Sequence, residues 1–163
     1  MSTSPTPPTE PSVPRQYVPA VADQAAASAP TIRVLVVDDH DVMRFGLNRL
    51  LESQEGIEVC GTAENGATAV TMADDLLPDV ILMDVSMPVL DGVSATRAIL
   101  RDHPAVRVLV LTSYRLETVV RRAMAAGAAG YLLKDCPPDV LVDSVRRVFR
   151  GERPMAPSVR TPL

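Results

Sequence analysis

From residue 31 onward, short apolar runs alternate with stretches whose apolar residues recur every three or four positions. Ile32 to Val37 is a β-branched run of strand length. It is followed by Met43, Leu47, Leu50 and Leu51, a spacing that predicts a helix over about 42–53, broken by Gly56. Ile57 to Gly61 reads as a second strand. Asn65 is placed to cap a second helix with Val70, Ala73 and Leu77 as its buried stripe, ended by Pro78. Asp79 to Asp84 predicts a third strand, a turn-rich loop over 86–92 follows, and a third helix covers about 93–102. Val106 to Thr112 is the fourth strand. A fourth helix over about 115–126 stops at Gly127, a residue suited to a left-handed cap. Gly130 to Leu133 is the fifth strand, and Pro137 opens a fifth helix that runs to about Arg150, with Gly151 beyond it.

Strands apolar on both faces, each followed by a helix, imply a parallel sheet covered on both sides. Five such units predict a doubly wound α/β domain. Ligands of such sheets lie beyond the carboxyl ends of the strands, so the residues just after each strand are the ones to inspect.

Composition adds boundaries. Residues 1–30 hold seven of the 15 prolines among Ser, Thr and Ala, and predict a disordered extension. Residues 152–163 contain Pro154, Pro157 and Pro162 and predict the start of a linker, with an output domain absent from this chain. The core is expected to be aliphatic, since aromatic residues make up 3% and Trp is absent. A net charge of -4 argues against this piece gripping nucleic acid alone. Cys60 and Cys136 form no CxxC pair and are expected to be reduced thiols. With neither a secretory signal nor an apolar run of membrane-spanning length, the expectation is a cytoplasmic chain without membrane contact.

Four predicted strand ends carry chemistry: Asp38 and Asp39, Asp84, Thr112 and Ser113, and Lys134. Taken singly, each has a plain explanation. Asp38 and Asp39 could cap a helix, Asp84 could cap a βα loop, Thr112 could fill a strand and Lys134 could be solvated. Together on one edge they point elsewhere. Crowded carboxylates resist ionisation unless a cation neutralises them, and oxygen donors suit Mg2+. Asp39 and Asp84 are the candidate direct ligands, Asp38 a ligand through water, and the backbone carbonyl of Ser86 a further donor. Asp84 can also act as a nucleophile that forms an acyl phosphate, with Lys134 and the metal countering charge on the phosphoryl oxygens and Thr112 donating a hydrogen bond to one of them.

The segments Val36-Val37-Asp38-Asp39-His40, Leu82-Met83-Asp84 through Asp91-Gly92, Val110-Leu111-Thr112-Ser113 and Gly130-Tyr131-Leu132-Leu133-Lys134 resemble the receiver domain of bacterial two-component response regulators. The resemblance covers about residues 31–151, and its wording is closest to the subfamily carrying a C-terminal LuxR-type helix-turn-helix (NarL/FixJ-like). It implies a flavodoxin-like (βα)5 fold with strand order 2-1-3-4-5. It implies a sensor histidine kinase as phosphoryl donor, Asp84 as acceptor, Thr112 as switch hydroxyl, Tyr131 as switch aromatic and Lys134 as the conserved ammonium of the family. Thr112 would move inward on phosphorylation and Tyr131 would follow. Dimerisation on phosphorylation through a face including the first and fifth helices is implied, as is DNA binding only through the missing C-terminal domain. Ser86 and Tyr114 would flank the path of the hydrolytic water. Asp135 departs from the family, which often has Pro there. A half-buried strand tyrosine with no switching role remains the alternative for Tyr131.

Other functions compete. A stand-alone receiver could act by docking or as a phosphate sink, and an atypical one could answer to another ligand. An aspartyl-phosphate phosphatase would want Asp two residues after its nucleophile, where this chain has Ser86. No glycine-rich loop follows the first strand, which argues against nucleotide binding. The expectation is therefore a protein that catalyses only its own phosphorylation and dephosphorylation. His40 and His103 have no partner at metal-ligand spacing, and surface or capping roles are expected. Arg121-Arg122 and Arg146-Arg147 are read either as solvated faces or as parts of a dimer or kinase contact.

Overall fold

A computed structural model describes residues 29–156 of the chain. The predicted disordered extension therefore lies almost wholly outside the described residues, as does the end of the predicted linker. Each apolar run forms a strand and each periodic stretch a helix: β1 (Ile32–Val37), α1 (Asp41–Glu52), β2 (Ile57–Ala63), α2 (Gly66–Leu76), β3 (Val80–Met83), α3 (Gly92–Asp102), β4 (Arg107–Thr112), α4 (Glu117–Ala125), β5 (Gly130–Leu133) and α5 (Pro138–Phe149). All paired strands are parallel, in the order β2-β1-β3-β4-β5. This is the flavodoxin-like arrangement, with its reversal of strand order between β1 and β3.

Strand alternation divides the core in two. Leu35, Val37, Ile81, Met83, Val108 and Val110 face one layer, where Ala69 and Ala73 of α2, Ile99 of α3 and Ala123 of α4 pack on them. Val34, Val36, Val80, Leu82, Leu109 and Leu111 face the other, against Leu47 and Leu51 of α1 and Leu141, Val145 and Val148 of α5. Both faces of the central strands are thus dry, and each buried aliphatic side chain contributes roughly 1.5–3 kcal/mol.

Capping residues fix the helix ends. Asn65 accepts the Thr68 N–H at 2.8 Å, and Asp91 accepts both the N–H and the hydroxyl of Ser94 at 2.9 Å. Burial pushes Asp91 up, but those donors outweigh it and hold its carboxyl below the usual range. Gly127 takes the left-handed conformation expected after α4, with φ 103°.

Four expectations need correction. Leu77 is not in the buried stripe of α2. It is the left-handed cap residue, with φ 47° and 59% exposure, and Ala69 and Ala73 supply the buried face instead. Pro137 precedes α5, and Pro138 takes the first helical position. The second strand extends to Ala63, paired with Val37, and a bulge at Cys60 shifts its register against β1. Packing continues past residue 151, since Pro154 and Ala156 are buried and Met155 bridges to Tyr131.

Candidate functional site

The sheet's hydrogen bonding runs one residue beyond the strands and sets the carboxylates. Asp38 N–H donates to the Ala63 carbonyl at 3.1 Å, and Asp84 N–H donates to the Val37 carbonyl at 3.0 Å. Both residues are buried at adjacent strand ends, on either side of the topological switch. The N-terminus of α3 locks the second of them. Gly92 N–H donates to the Val85 carbonyl at 2.8 Å, and a Cβ on Gly92 would fall 1.8 Å from the Asp84 carbonyl oxygen. Only glycine permits that approach.

Lys134 reaches across from β5. Its Nζ lies 2.7 Å from Asp38 Oδ2 and 3.1 Å from Asp84 Oδ2. Its backbone is tied to β4, since Lys134 N–H donates to the Thr112 carbonyl at 2.9 Å. Burial alone would lower the ammonium's pKa, but Asp38 and Asp84 outweigh it and raise it. Asp84 is raised as well. Its burial and the neighbouring acids Asp38 and Asp39 exceed the stabilising pull of Lys134. A single ammonium does not compensate three carboxylates.

The shortfall is visible at Asp39. Its Oδ1 is buried without a hydrogen-bond partner, and although His40 Nδ1 is 3.1 Å away, it lacks hydrogen-bond alignment. Ligand atoms from Asp38, Asp39, His40 and Asp84 lie within 4.8 Å of one another. An orphaned carboxylate oxygen among hard oxygen donors fits a divalent cation of the Mg2+ type.

The description "Response regulator receiver domain" matches residues 34–146, the span that contains all of this geometry. This chain belongs to that family. GacA of Pseudomonas aeruginosa is 43% identical over 132 residues, which cover 81% of this chain and 62% of GacA. VraR of Staphylococcus aureus is 43% identical over 129 residues, covering 79% of this chain and 62% of VraR. A LuxR-family two-component response regulator from Aurantimonas superposes with a TM-score of 0.76 at 33% identity, covering 79% of this chain and 92% of that one. The chain spans about 62% of the length of the curated relatives it matches.

Within the receiver domain, Thr112 is fully buried and its Oγ1 accepts the Tyr114 N–H at 3.2 Å. Tyr131 is fully buried too, rather than half-buried. Its hydroxyl donates to the Tyr114 carbonyl at 2.9 Å, which places the ring already inside. Burial raises its pKa. Ser86 and Tyr114 are exposed on the loops after β3 and β4.

Asp38 and Asp39 do not cap α1. His40 holds the cap position without a side-chain bond, and its own N–H donates to Asp38 Oδ1 at 2.8 Å. His40 takes the expected surface and capping place, 70% exposed at the cap of α1, and its ring also lies beside the acids. Its place directly after Asp38-Asp39 was the available signal. Sequence reasoning also passed over Arg44, whose Nη1 donates to the Asp38 carbonyl at 2.7 Å, and the Arg115–Asp135 ion pair at 2.9 Å. The first reaches back from α1 to the loop before it, and the second joins two loops and leaves no local trace. No peptide bond among the described residues is cis, Lys134–Asp135 included. Among those residues Cys60 and Cys136 are free thiols, and no helix is long and apolar enough to cross a membrane.

Proposed function

We propose that this receiver accepts a phosphoryl group on Asp84 from a phosphohistidine of a sensor histidine kinase. The observation that carries this reading is the buried Asp84 carboxylate with Lys134 Nζ at 3.1 Å, beside two further acids on a separate strand end. An Asp84 carboxylate oxygen attacks phosphorus and forms the O–P bond of an acyl phosphate. The P–N bond of the donor breaks, and the leaving imidazole takes a proton from solvent.

Lys134 offers its charge to the non-bridging oxygens of the transferring group, where charge builds. Thr112 is positioned by its bond from Tyr114 N–H, which leaves its hydroxyl hydrogen free to donate to a phosphoryl oxygen. Asp39 and Asp84 would hold Mg2+ directly, with Asp38 through water and the Ser86 backbone carbonyl as the remaining donor. When bound, the ion neutralises the acids and the phosphoryl oxygens.

The modification would bias Thr112 and Tyr131 toward the inward arrangement and favour a homodimer. Output would be transcriptional, through a DNA-binding region beyond the receiver, as the length of the relatives suggests. The chain would work in the cytoplasm and catalyse nothing beyond its own phosphorylation and dephosphorylation.

Intact-mass measurement after incubation with Mg2+ and acetyl phosphate tests this. Wild type should gain one phosphoryl group and Asp84→Asn none. An adduct that persists in Asp84→Asn, or an unmodified wild type, would refute it.

A further inference from the structure

β5 is the edge strand of the sheet, and an edge strand has a neighbour on one side only. Its side chains should therefore be partly open to solvent beyond that edge. Yet Tyr131, in the middle of β5, is among the largest fully buried side chains of the described residues. The chain itself supplies the cover. After α5 it turns at Gly151 and returns alongside β5, running parallel to it.

The contact is made by Pro154 to Ala156 and centres on one residue. Tyr131 N–H donates to the Pro154 carbonyl at 3.1 Å, and Ala156 N–H donates to the Tyr131 carbonyl at 2.9 Å. Both backbone groups of Tyr131 that face outward are thus taken by this strap. Ala156 is buried in the same apolar cluster as the Tyr131 ring, and Met155 packs against that cluster. A second feature is built for the approach. A Cβ on Gly130 would lie 2.6 Å from the Pro154 carbonyl oxygen, so a side chain there would push the strap away.

A continuous chain of bonds runs inward from the strap. The Tyr131 hydroxyl donates to the Tyr114 carbonyl, and Tyr114 N–H donates to Thr112 Oγ1. Thr112 is in turn bonded through its own carbonyl to Lys134 N–H, beside Asp84. We propose that the outer edge of β5 is a docking surface for the chain's own segment Pro154–Ala156, and that this strap latches Tyr131 inward. Strap docking and phosphorylation then favour one arrangement.

The inference rests on the receiver reading above. Coupling of this kind is reciprocal: the factor by which phosphorylation tightens the strap is the factor by which losing the strap weakens phosphorylation. Ala156→Pro removes the N–H that donates to Tyr131 and touches none of the reacting groups.

The test uses the full 163-residue chain, with beryllofluoride and Mg2+ as the stand-in for the phosphoryl group. Amide hydrogen exchange is followed by NMR, and acetyl phosphate labelling by intact mass. Beryllofluoride should slow exchange at the Ala156 amide about tenfold. Ala156→Pro should need about tenfold more beryllofluoride for half-saturation while still forming the Asp84 adduct. If wild type binds beryllofluoride but Ala156 exchange changes by less than about twofold, or accelerates, the latch is wrong and the receiver reading stands. The exchange measurement on wild type decides this even if the variant does not fold. If wild type neither binds beryllofluoride nor gains an adduct, both readings fail together.

Discussion

At the amino-terminal end of the sheet, charge is stitched into the fold. Asp79 Oδ2 accepts the Arg33 N–H at 2.9 Å, and the Arg33 guanidinium donates to the carbonyls of Leu76 and Leu77, where α2 ends. Nearby, His103 Nε2 bonds Asp74 Oδ1 at 2.6 Å and ties α3 to α2. At the carboxyl end the same residue types are left incompletely paired. Asp38 and Asp84 share Lys134, and one oxygen of Asp39 beside them has no hydrogen-bond partner. Carboxylates at the first end hold loops to strands. Carboxylates at the second repel one another, which suits the cation and phosphoryl binding proposed above. Stability is given up at the end where the proposed chemistry needs it.

The sharpest test of that division concerns the backbone behind the reactive end. Gly92→Ala would drive a methyl into the Asp84 carbonyl, a contact that neither α3 nor β3 can relieve without moving. It should destabilise the chain by at least about 3 kcal/mol, or prevent folding. Urea denaturation monitored by far-UV circular dichroism measures it. A loss below about 1 kcal/mol would mean that α3 shifts freely against the acceptor loop and that its grip on Asp84 is weak.

A smaller effect is expected at the opposite end. Asp79→Ala removes the acceptor for Arg33 N–H and should cost about 2 kcal/mol. Asp39→Asn should do the reverse and stabilise the metal-free protein by about 1 kcal/mol, because it removes one of three crowded charges. Millimolar Mg2+ should then raise the Tm of wild type more than that of Asp39→Asn. If both substitutions destabilise alike, the two ends of the sheet are electrostatically equivalent and the contrast between them fails.

The legibility of the sequence follows the same line. The five strands, and the acids, hydroxyl and ammonium at their ends, could be read because period and placement are local signals. Lys134 meets Asp38 and Asp84, and its N–H is bonded to the Thr112 carbonyl at the end of β4. The bulge at Cys60 could not be read. Beside it Met72 and Leu76 of α2 pack so close to Gly61 that a Cβ there would meet Met72 Cε at 2.6 Å. Nor could the staple between Arg33 and Asp79, which are far apart in the chain, or the strap at 154–156, whose prolines signal an extended linker while its backbone finds a strand to pair with. Each of these is a long-range pairing that leaves no periodic mark.

Leu77 is the most instructive misreading, and it carries the smallest predicted effect. Its spacing from Val70 and Ala73 suits a buried helical position, but α2 ends at Leu76 and Leu77 turns left-handed ahead of Pro78. Pro78 is the cause, because the residue before a proline is driven out of the right-handed helical region. The leucine side chain is then left exposed at a φ of 47° that costs a non-glycine residue about 1 kcal/mol or more. Leu77→Gly relieves that strain, keeps the carbonyl that accepts from Arg33, and frees the unfolded chain by a smaller amount. The net expectation is a gain of about 0.5 kcal/mol, measured as a rise in denaturation midpoint at constant slope. A loss of about 1 kcal/mol would mean that the leucine packs usefully after all, and that helix periodicity was the better guide to this position than the proline beside it.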